Sequence, residues 1–130
     1  MRCDRAGGTP VTRERDLDRI RRIVSVGRDL AGCVERNGIT RELILIDQDI
    51  RWMVSMPVFD ISEQVSRLSE AFLQERPIEG AYAIAGMRNR MAHGYADVGY
   101  EFIADAVFED VPALVGRCKE ILADLGLSAD

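Results

Sequence analysis

The densest group of chemically active side chains in this sequence lies between Gly86 and Tyr95. This stretch contains the only histidine of the chain, His93, close to Arg88 and Asn89. An imidazole titrates near neutral pH and a guanidinium carries a fixed positive charge, so the pair suits proton transfer beside a phosphate or another anion. We therefore take this stretch as the candidate functional site.

Helical geometry limits how these side chains can meet. At about 100° per residue, Asn89 and His93 share a helix face, whereas Arg88 and His93 are roughly 140° apart. The long arginine side chain, or a second copy of the motif across a two-fold axis, would bring them together. On RNA, His93 would take a proton from a 2′-hydroxyl or give one to the leaving oxygen, and Arg88 would stabilise the phosphate charge without a metal. Asn89 would orient the imidazole or bind an oxygen, Tyr95 would stack on a base or donate to phosphate, and Arg90 points elsewhere and is interpreted as solvated.

The same residues also have purely structural interpretations. A lone histidine near a helix end often interacts with the last carbonyls and the helix dipole, as His93 would here. Tyr95 can be a packed ring, and Arg88 can simply pair with an acid such as Asp97 or Glu101. The residues taken alone leave the function open.

Composition indicates one globular domain. The chain has 130 residues, of which 47% are hydrophobic, and 17 basic against 22 acidic side chains give a formal charge of −5. This balance disfavours nonspecific attraction to nucleic acid or anionic membranes, so any phosphate recognition must be local. Cys3, Cys33 and Cys118 are odd in number and lack metal-ligand spacing, which favours free thiols and no metal site. With no secretory or membrane-spanning segment, we expect a cytoplasmic protein.

Apolar residues recur at helical spacing along most of the chain, which predicts an all-α bundle of four to five helices. The first helix should begin at Thr9 and Pro10 and stop at Asn37 and Gly38. A second should start at Thr40 and continue, kinked at Pro57, to Phe72, with Met53 and Met56 filling the core; a break follows at residues 75–77.

The second half of the chain carries the motif and two further helices. One helix should contain Met87 and end near Gly94, so that the motif lies in its C-terminal half. A short helix should span Tyr100 to Phe108. A cap at residues 110–112 should then begin a last helix, which Gly126 stops.

Three sequence blocks together resemble a known family. The first is Arg88, four residues, His93, one residue and Tyr95. The second runs from Met56–Pro57 through residues 60–70, and the third is residues 110–114, so that the blocks cover roughly residues 40–125 in order. This combination resembles HEPN-domain proteins of the HepT-like branch. Three blocks in the expected order are much less probable by chance than a match to one short pattern.

The resemblance implies a homodimeric, HEPN-like up-and-down bundle spanning residues 10–127, after a flexible N-terminal extension of residues 1–9. It implies a metal-independent ribonuclease toxin of a type VII toxin–antitoxin system, with Arg88 and His93 as catalytic residues in a cleft between protomers and Asn89 as a supporting residue. The partner antitoxin would be a nucleotidyltransferase that uses ATP and magnesium to attach AMP to Tyr95, and the two proteins could form a heteromeric complex. The chain itself would need no cofactor. The alternative is a noncatalytic helical partner or nucleotide-binding subunit of such a nucleotidyltransferase.

Overall fold

The computed structural model describes residues 10–92 and 99–129, which form helices joined by short connections. In chain order these are α1 (Pro10–Asn37), α2 (Arg41–Ile46), α3 (Gln48–Ser66), α4 (Glu70–Glu75), α5 (Ala81–Ala92), α6 (Glu101–Asp105), a π-helical turn (Ala106–Asp110) and α7 (Val111–Asp124). No β-strand occurs in these two ranges. The prediction of an all-α bundle is therefore confirmed, with the longer helices α1, α3, α5 and α7 as its framework.

The first helix ends where the sequence predicted. Gly38 has a φ of +59°, which a residue without a side chain adopts at little cost and which ends α1 after Asn37. The buried face of α1 lies at spacings of three and four, as predicted, and includes Ile20, Ile23, Val24, Gly27 and Leu30. Its opposite face is rich in arginine.

The crossing of α1 and α7 depends on Gly27. A Cβ atom added there would lie 2.3 Å from Cγ2 of Val115, closer than any real contact. Glycine thus allows the two helices to approach each other closely.

The second predicted helix is divided at its beginning. Thr40 caps α2 as expected, because its hydroxyl accepts a hydrogen bond from the Leu43 N–H at 3.2 Å. At Asp47 the backbone is extended (φ −111°, ψ 112°), and its carboxylate accepts bonds from the N–H groups of Asp49 and Ile50 to cap α3. The expectation of one helix from Thr40 is therefore wrong, since a short acidic side chain competes with the helical backbone and starts a new helix.

A proline and a serine determine the middle and the end of α3. Pro57 lies inside α3, which continues through it as predicted. The expected continuation to Phe72 is wrong, because α3 ends at Ser66 and Phe72 lies in α4. Ser69 caps α4, and its N–H and hydroxyl both donate to the carboxylate of Asp16, a residue that is only 2% exposed. This hydrogen bonding to α1 holds the break in place.

Two methionines predicted to fill the core lie at the surface instead. Met53 is 42% exposed and Met56 is 72% exposed. With Ile46 and Trp52, which are also exposed, they form what we call the apolar patch. The prediction failed because the apolar pattern continues around α3 beyond the face that the other helices cover.

A buried arginine joins the start of α3 to the residues that follow α5. Arg51 is only 7% exposed, and its Nη1 donates to the carbonyls of Ile44 (2.9 Å) and Leu45 (3.2 Å) at the end of α2. Its guanidinium carbon lies 3.6 Å from the ring centroid of Tyr100. The charge is thereby compensated by carbonyl dipoles and an aromatic face.

The predicted cap at residues 110–112 does not form. Asp110 has helical dihedral angles and makes no capping bond, and the π-helical turn passes directly into α7. Pro112 has no N–H to donate, and the chain accommodates it with a wider turn in which the Val111 N–H donates to the Ala106 carbonyl five residues back. The helix then ends just before Gly126, as expected.

Two general features of the described residues complete the fold. Cys33 and Cys118 are free thiols, whereas Cys3 lies outside the described residues, as does the predicted N-terminal extension. In residues 10–92 and 99–129, every helix is too short or too polar to cross a membrane.

Candidate active site

The motif begins in the last two turns of α5, where Arg88 and Asn89 lie. Ile84 and Met87 are buried and fix the orientation of this helix, which packs mainly on α3. Arg88 and Asn89 therefore lie at the edge of the buried face, and the Arg88 side chain is 43% exposed. His93 and Tyr95 lie outside the described residues, so their predicted approach to Arg88 and Asn89 remains a prediction.

Arg88 is held by an acid from another helix. Its Nε donates to Oε1 of Glu63 on α3, and its Nη1 lies 3.5 Å from Oδ1 of Asn89. The sequence suggests Asp97 or Glu101 as a partner of Arg88. Asp97 lies outside the described residues, and the structure pairs Arg88 with Glu63 and not with Glu101. The acid that contacts Arg88 is thus 25 residues upstream in the sequence.

Glu63 serves two arginines at once. Besides Arg88, it accepts hydrogen bonds from Arg67, whose Nε and Nη2 lie 2.8 Å and 2.6 Å away. The hydrogen bond from Arg88, and after it those from Arg67, lower the pKa of Glu63 below its ordinary value of 4.5. Glu63 is therefore ionised at neutral pH and provides a fixed negative anchor for both guanidinium groups.

The way in which Glu63 holds Arg88 leaves that arginine able to bind an anion. The contact uses Nε, on the side of the guanidinium plane, and only the weak bond to Asn89 engages a terminal nitrogen among the described residues. The terminal nitrogens of arginine form the fork that binds carboxylates and phosphates through two parallel bonds. The arrangement can therefore orient a phosphate-binding arginine without occupying its binding edge.

Sequence reasoning did not assign a role to Glu63, although it lies in one of the blocks that carry the resemblance. A local signal was present, because Glu63 and Arg67 are four residues apart and can pair along one helix. The contact with Arg88 had no such signal, since it depends on how α3 and α5 pack.

Arg90 points away from Arg88, as expected, but it is not simply solvated. Its guanidinium carbon lies 5.6 Å from the ring centroid of Phe102, at the rim of a cavity of about 540 Å³. This cavity lies between α5, α6 and α7, and the π-helical turn contributes Asp110. Arg90 therefore contributes a cation–π contact on a different side of α5 from Arg88.

Comparisons with known proteins decide the family. A family model described as Ribonuclease HepT-like matches residues 14–121, which is most of the chain. This chain belongs to the HepT-like ribonuclease family. The resemblance inferred from the three sequence blocks is thus confirmed, and so is the ribonuclease class of enzyme at the level of the family.

Two curated relatives that this HepT-like chain resembles carry names that describe them as ribonucleases. A protein of Methanocaldococcus jannaschii named "Putative RNase MJ0127" is 29% identical over 89 residues, which cover 68% of this chain and 74% of the relative. A protein of Caldanaerobacter subterraneus subsp. tengcongensis named "Putative RNase TTE0752" is 34% identical over 62 residues, covering 48% of this chain and 55% of the relative. No solved structure matches the chain significantly.

Proposed function

We propose that this HepT-like protein is a metal-independent endoribonuclease that acts as the toxin of a type VII toxin–antitoxin system. The observation that carries the proposal is the side-on contact from Glu63 to Nε of Arg88, which orients the guanidinium while leaving its terminal nitrogens for a phosphate. The family match adds that the expected substrate of such a site is RNA.

In the proposed reaction, His93 provides the proton transfer that Arg88 cannot. A neutral imidazole removes the proton of a ribose 2′-hydroxyl, the 2′-oxygen forms a bond to phosphorus, and the bond from phosphorus to the 5′-oxygen breaks. The departing oxygen receives a proton from an imidazolium, and a 2′,3′-cyclic phosphate remains on the upstream fragment. Arg88 stabilises the negative charge that accumulates on the phosphate oxygens, with Asn89 beside it.

The apolar patch supports a homodimer with the site near its interface. Trp52 and Met56 precede Glu63 by eleven and seven residues, so each of them lies within about 20° of Glu63 around α3. Exposed apolar side chains of this size on one helix face are typical of surfaces that bind another protein. A second copy bound at the patch would lie alongside Glu63 and Arg88, where it could add its own Arg88 and His93 to a shared cleft.

The proposed regulation uses the tyrosine of the motif. A nucleotidyltransferase antitoxin, using ATP and magnesium, would attach AMP to the hydroxyl of Tyr95. The added phosphate would compete with RNA for Arg88 and repel the RNA backbone. The proposal predicts that a Tyr95→Phe variant remains toxic in the presence of the antitoxin and gains no mass on incubation with the antitoxin, ATP and magnesium.

Substitution of His93 tests the enzymatic role. His93→Ala should abolish cleavage of single-stranded RNA and growth inhibition while the dimer persists in sedimentation, and Arg88→Ala should reduce cleavage strongly. Unchanged cleavage by His93→Ala would refute the mechanism and assign the cleavage to a contaminant or to other residues.

The dimer is tested separately at the patch. Met56→Glu should give monomers and inactivity, whereas Ala123→Glu, which adds the same charge at an exposed position of α7, should remain dimeric. Wild-type protein that sediments only as a monomer at micromolar concentration would refute the shared cleft.

A further inference from the structure

Four arginines form a second basic surface beside the candidate active site. Arg15, Arg19 and Arg22 on α1 and Arg67 at the end of α3 line a hollow of about 530 Å³, and we call these four residues the arginine cluster. The remaining lining residues of this hollow are Asp18, Glu63 and Gln64. Every lining side chain is thus polar, and the cations outnumber the acids in a chain whose overall charge is −5.

Part of this positive charge is not neutralised within the described residues. Arg22 pairs with Asp60 at 2.6 Å, and Arg67 pairs with Glu63. Arg15 and Arg19 have no ion pair with any residue in the described ranges, and the Nη1 of Arg19 donates only to the backbone carbonyl of Arg15, at 3.3 Å. Two guanidinium groups therefore remain for an external anion.

The spacing on α1 arranges these arginines in a row. Positions 15, 19 and 22 follow the pattern i, i+4, i+7, which places them on one helix face over about 10 Å. At about 3.4 Å per nucleotide along a stacked strand, such a row spans roughly three nucleotides. A row of this length can contact several consecutive phosphates of one RNA strand.

Glu63 connects this row to the active site. The same carboxylate that accepts from Arg67 of the arginine cluster also holds Arg88. The cluster therefore begins immediately beside the arginine that is proposed to bind the reacting phosphate.

We propose that the arginine cluster binds the backbone phosphates of RNA on one side of the phosphodiester that is cleaved. This inference rests on the proposed ribonuclease function. A protein partner fits the surface less well, because the centre of a protein interface usually contains aromatic or apolar anchor residues and this hollow has none. Guanidinium groups, in contrast, bind phosphates well because they can form paired hydrogen bonds with the phosphate oxygens.

The test measures RNA binding without cleavage. The probe is a fluorescein-labelled, single-stranded RNA of 20 nucleotides in which every 2′-hydroxyl is methylated, and its binding is followed by fluorescence anisotropy at several KCl concentrations. The variant Arg15→Ala/Arg19→Ala should bind about tenfold more weakly, and the slope of log affinity against log salt should decrease by about 1.4, which is 0.7 for each lost phosphate contact.

A matched control keeps the change in net charge equal. Arg36→Ala/Lys119→Ala also removes two exposed cations, and Arg36 lies about 26 Å along α1 from Arg19 at 1.5 Å per residue. Its affinity should fall by less than about twofold, since at physiological salt the Debye length is only about 8 Å. Circular dichroism should show both double variants folded, because alanine is favourable in a helix.

The outcomes separate this inference from the proposed function. Equal losses of affinity in the two double variants would mean that overall charge causes the effect, and the inference would be wrong. Unchanged binding of the probe by Arg15→Ala/Arg19→Ala would show that the arginine cluster does not bind RNA. If that variant binds RNA normally but loses the antitoxin, the surface is a protein docking site and the inference is wrong. In any of these cases, cleavage of RNA by the wild-type protein would still support the proposed function. Wild-type protein that neither binds the probe nor cleaves RNA would contradict both the inference and the proposed function.

Discussion

Replacement of Glu63 by alanine should separate catalysis from RNA binding. Glu63 accepts from Nε of Arg88, and without it the arginine regains side-chain rotamers that the contact now excludes. An arginine side chain carries about 2 kcal/mol of rotamer entropy, and a loss of 1–2 kcal/mol corresponds to a decrease of about 5- to 30-fold in rate. We expect kcat to fall by that factor.

The same substitution should not weaken the binding of RNA. Removal of a carboxylate beside Arg88 makes the site more positive, so KM for an RNA substrate should stay constant or decrease. Glu63→Gln retains an oxygen that can accept from Nε of Arg88 and should recover part of kcat. Glu120→Ala is the matched control, because Glu120 is an exposed acid that pairs with Arg117 on α7, and kcat should not change.

Stability provides an independent measurement on the same variants. The ion pairs of Glu63 are partly exposed, so Glu63→Ala should cost only about 1 kcal/mol or less in the free energy of unfolding. Because the pKa of Glu63 is lowered in the folded protein, its stabilisation is complete above the ordinary value of 4.5 and disappears as the pH falls through the lowered value. The difference in Tm between wild type and variant should therefore close in acid.

The result that would refute this reasoning is specific. If Glu63→Ala raised KM and left kcat unchanged, Glu63 would act in RNA binding, and the proposal that it positions Arg88 for catalysis would be wrong. An equal fall in kcat for Glu120→Ala would also contradict it.

Three further predictions concern the fold. Gly27→Ala should lower stability by about 1–3 kcal/mol in thermal unfolding, because its Cβ would overlap Val115, whereas Gly116→Ala, with no atom within 4 Å, should raise stability by up to about 1 kcal/mol. Asp16→Ala should cost about 2 kcal/mol in urea unfolding, since it leaves the two donors of the serine that caps α4 without their acceptor. Burial raises the pKa of Cys118 to about 12, so this thiol should resist alkylation at pH 8 in the folded protein and react in denaturant, as mass spectrometry would show.

Local signals in the sequence predicted much of the helical framework. The cap at Thr40, the stops at Gly38 and Gly126, and the passage of α3 through Pro57 all depend on neighbouring residues, and the structure has each of them. The break before Phe72 could not be predicted in this way, because its cap depends on a carboxylate 53 residues away.

The candidate site shows the same division between local and distant causes. Arg88 and Asn89 were identified from their types and spacing, and the structure places them side by side at the surface of α5. Glu63 was missed because nothing in its neighbourhood reveals which helix will pack against α3. The roles of His93 and Tyr95 remain predictions from the motif.

The contact between Arg51 and Tyr100 has a consequence for the spacing of the motif. Arg88 is tied to Glu63 on one side of the motif, and Tyr100 is tied to Arg51 on the other, and both ties lead to α3. The same helix, α3, thus fixes the positions of Arg88 and Tyr100, between which the histidine lies in the sequence. An insertion or deletion between Arg88 and Tyr100 would move the imidazole relative to the guanidinium. Natural variants should therefore tolerate changes in residue type in this stretch more readily than changes in its length.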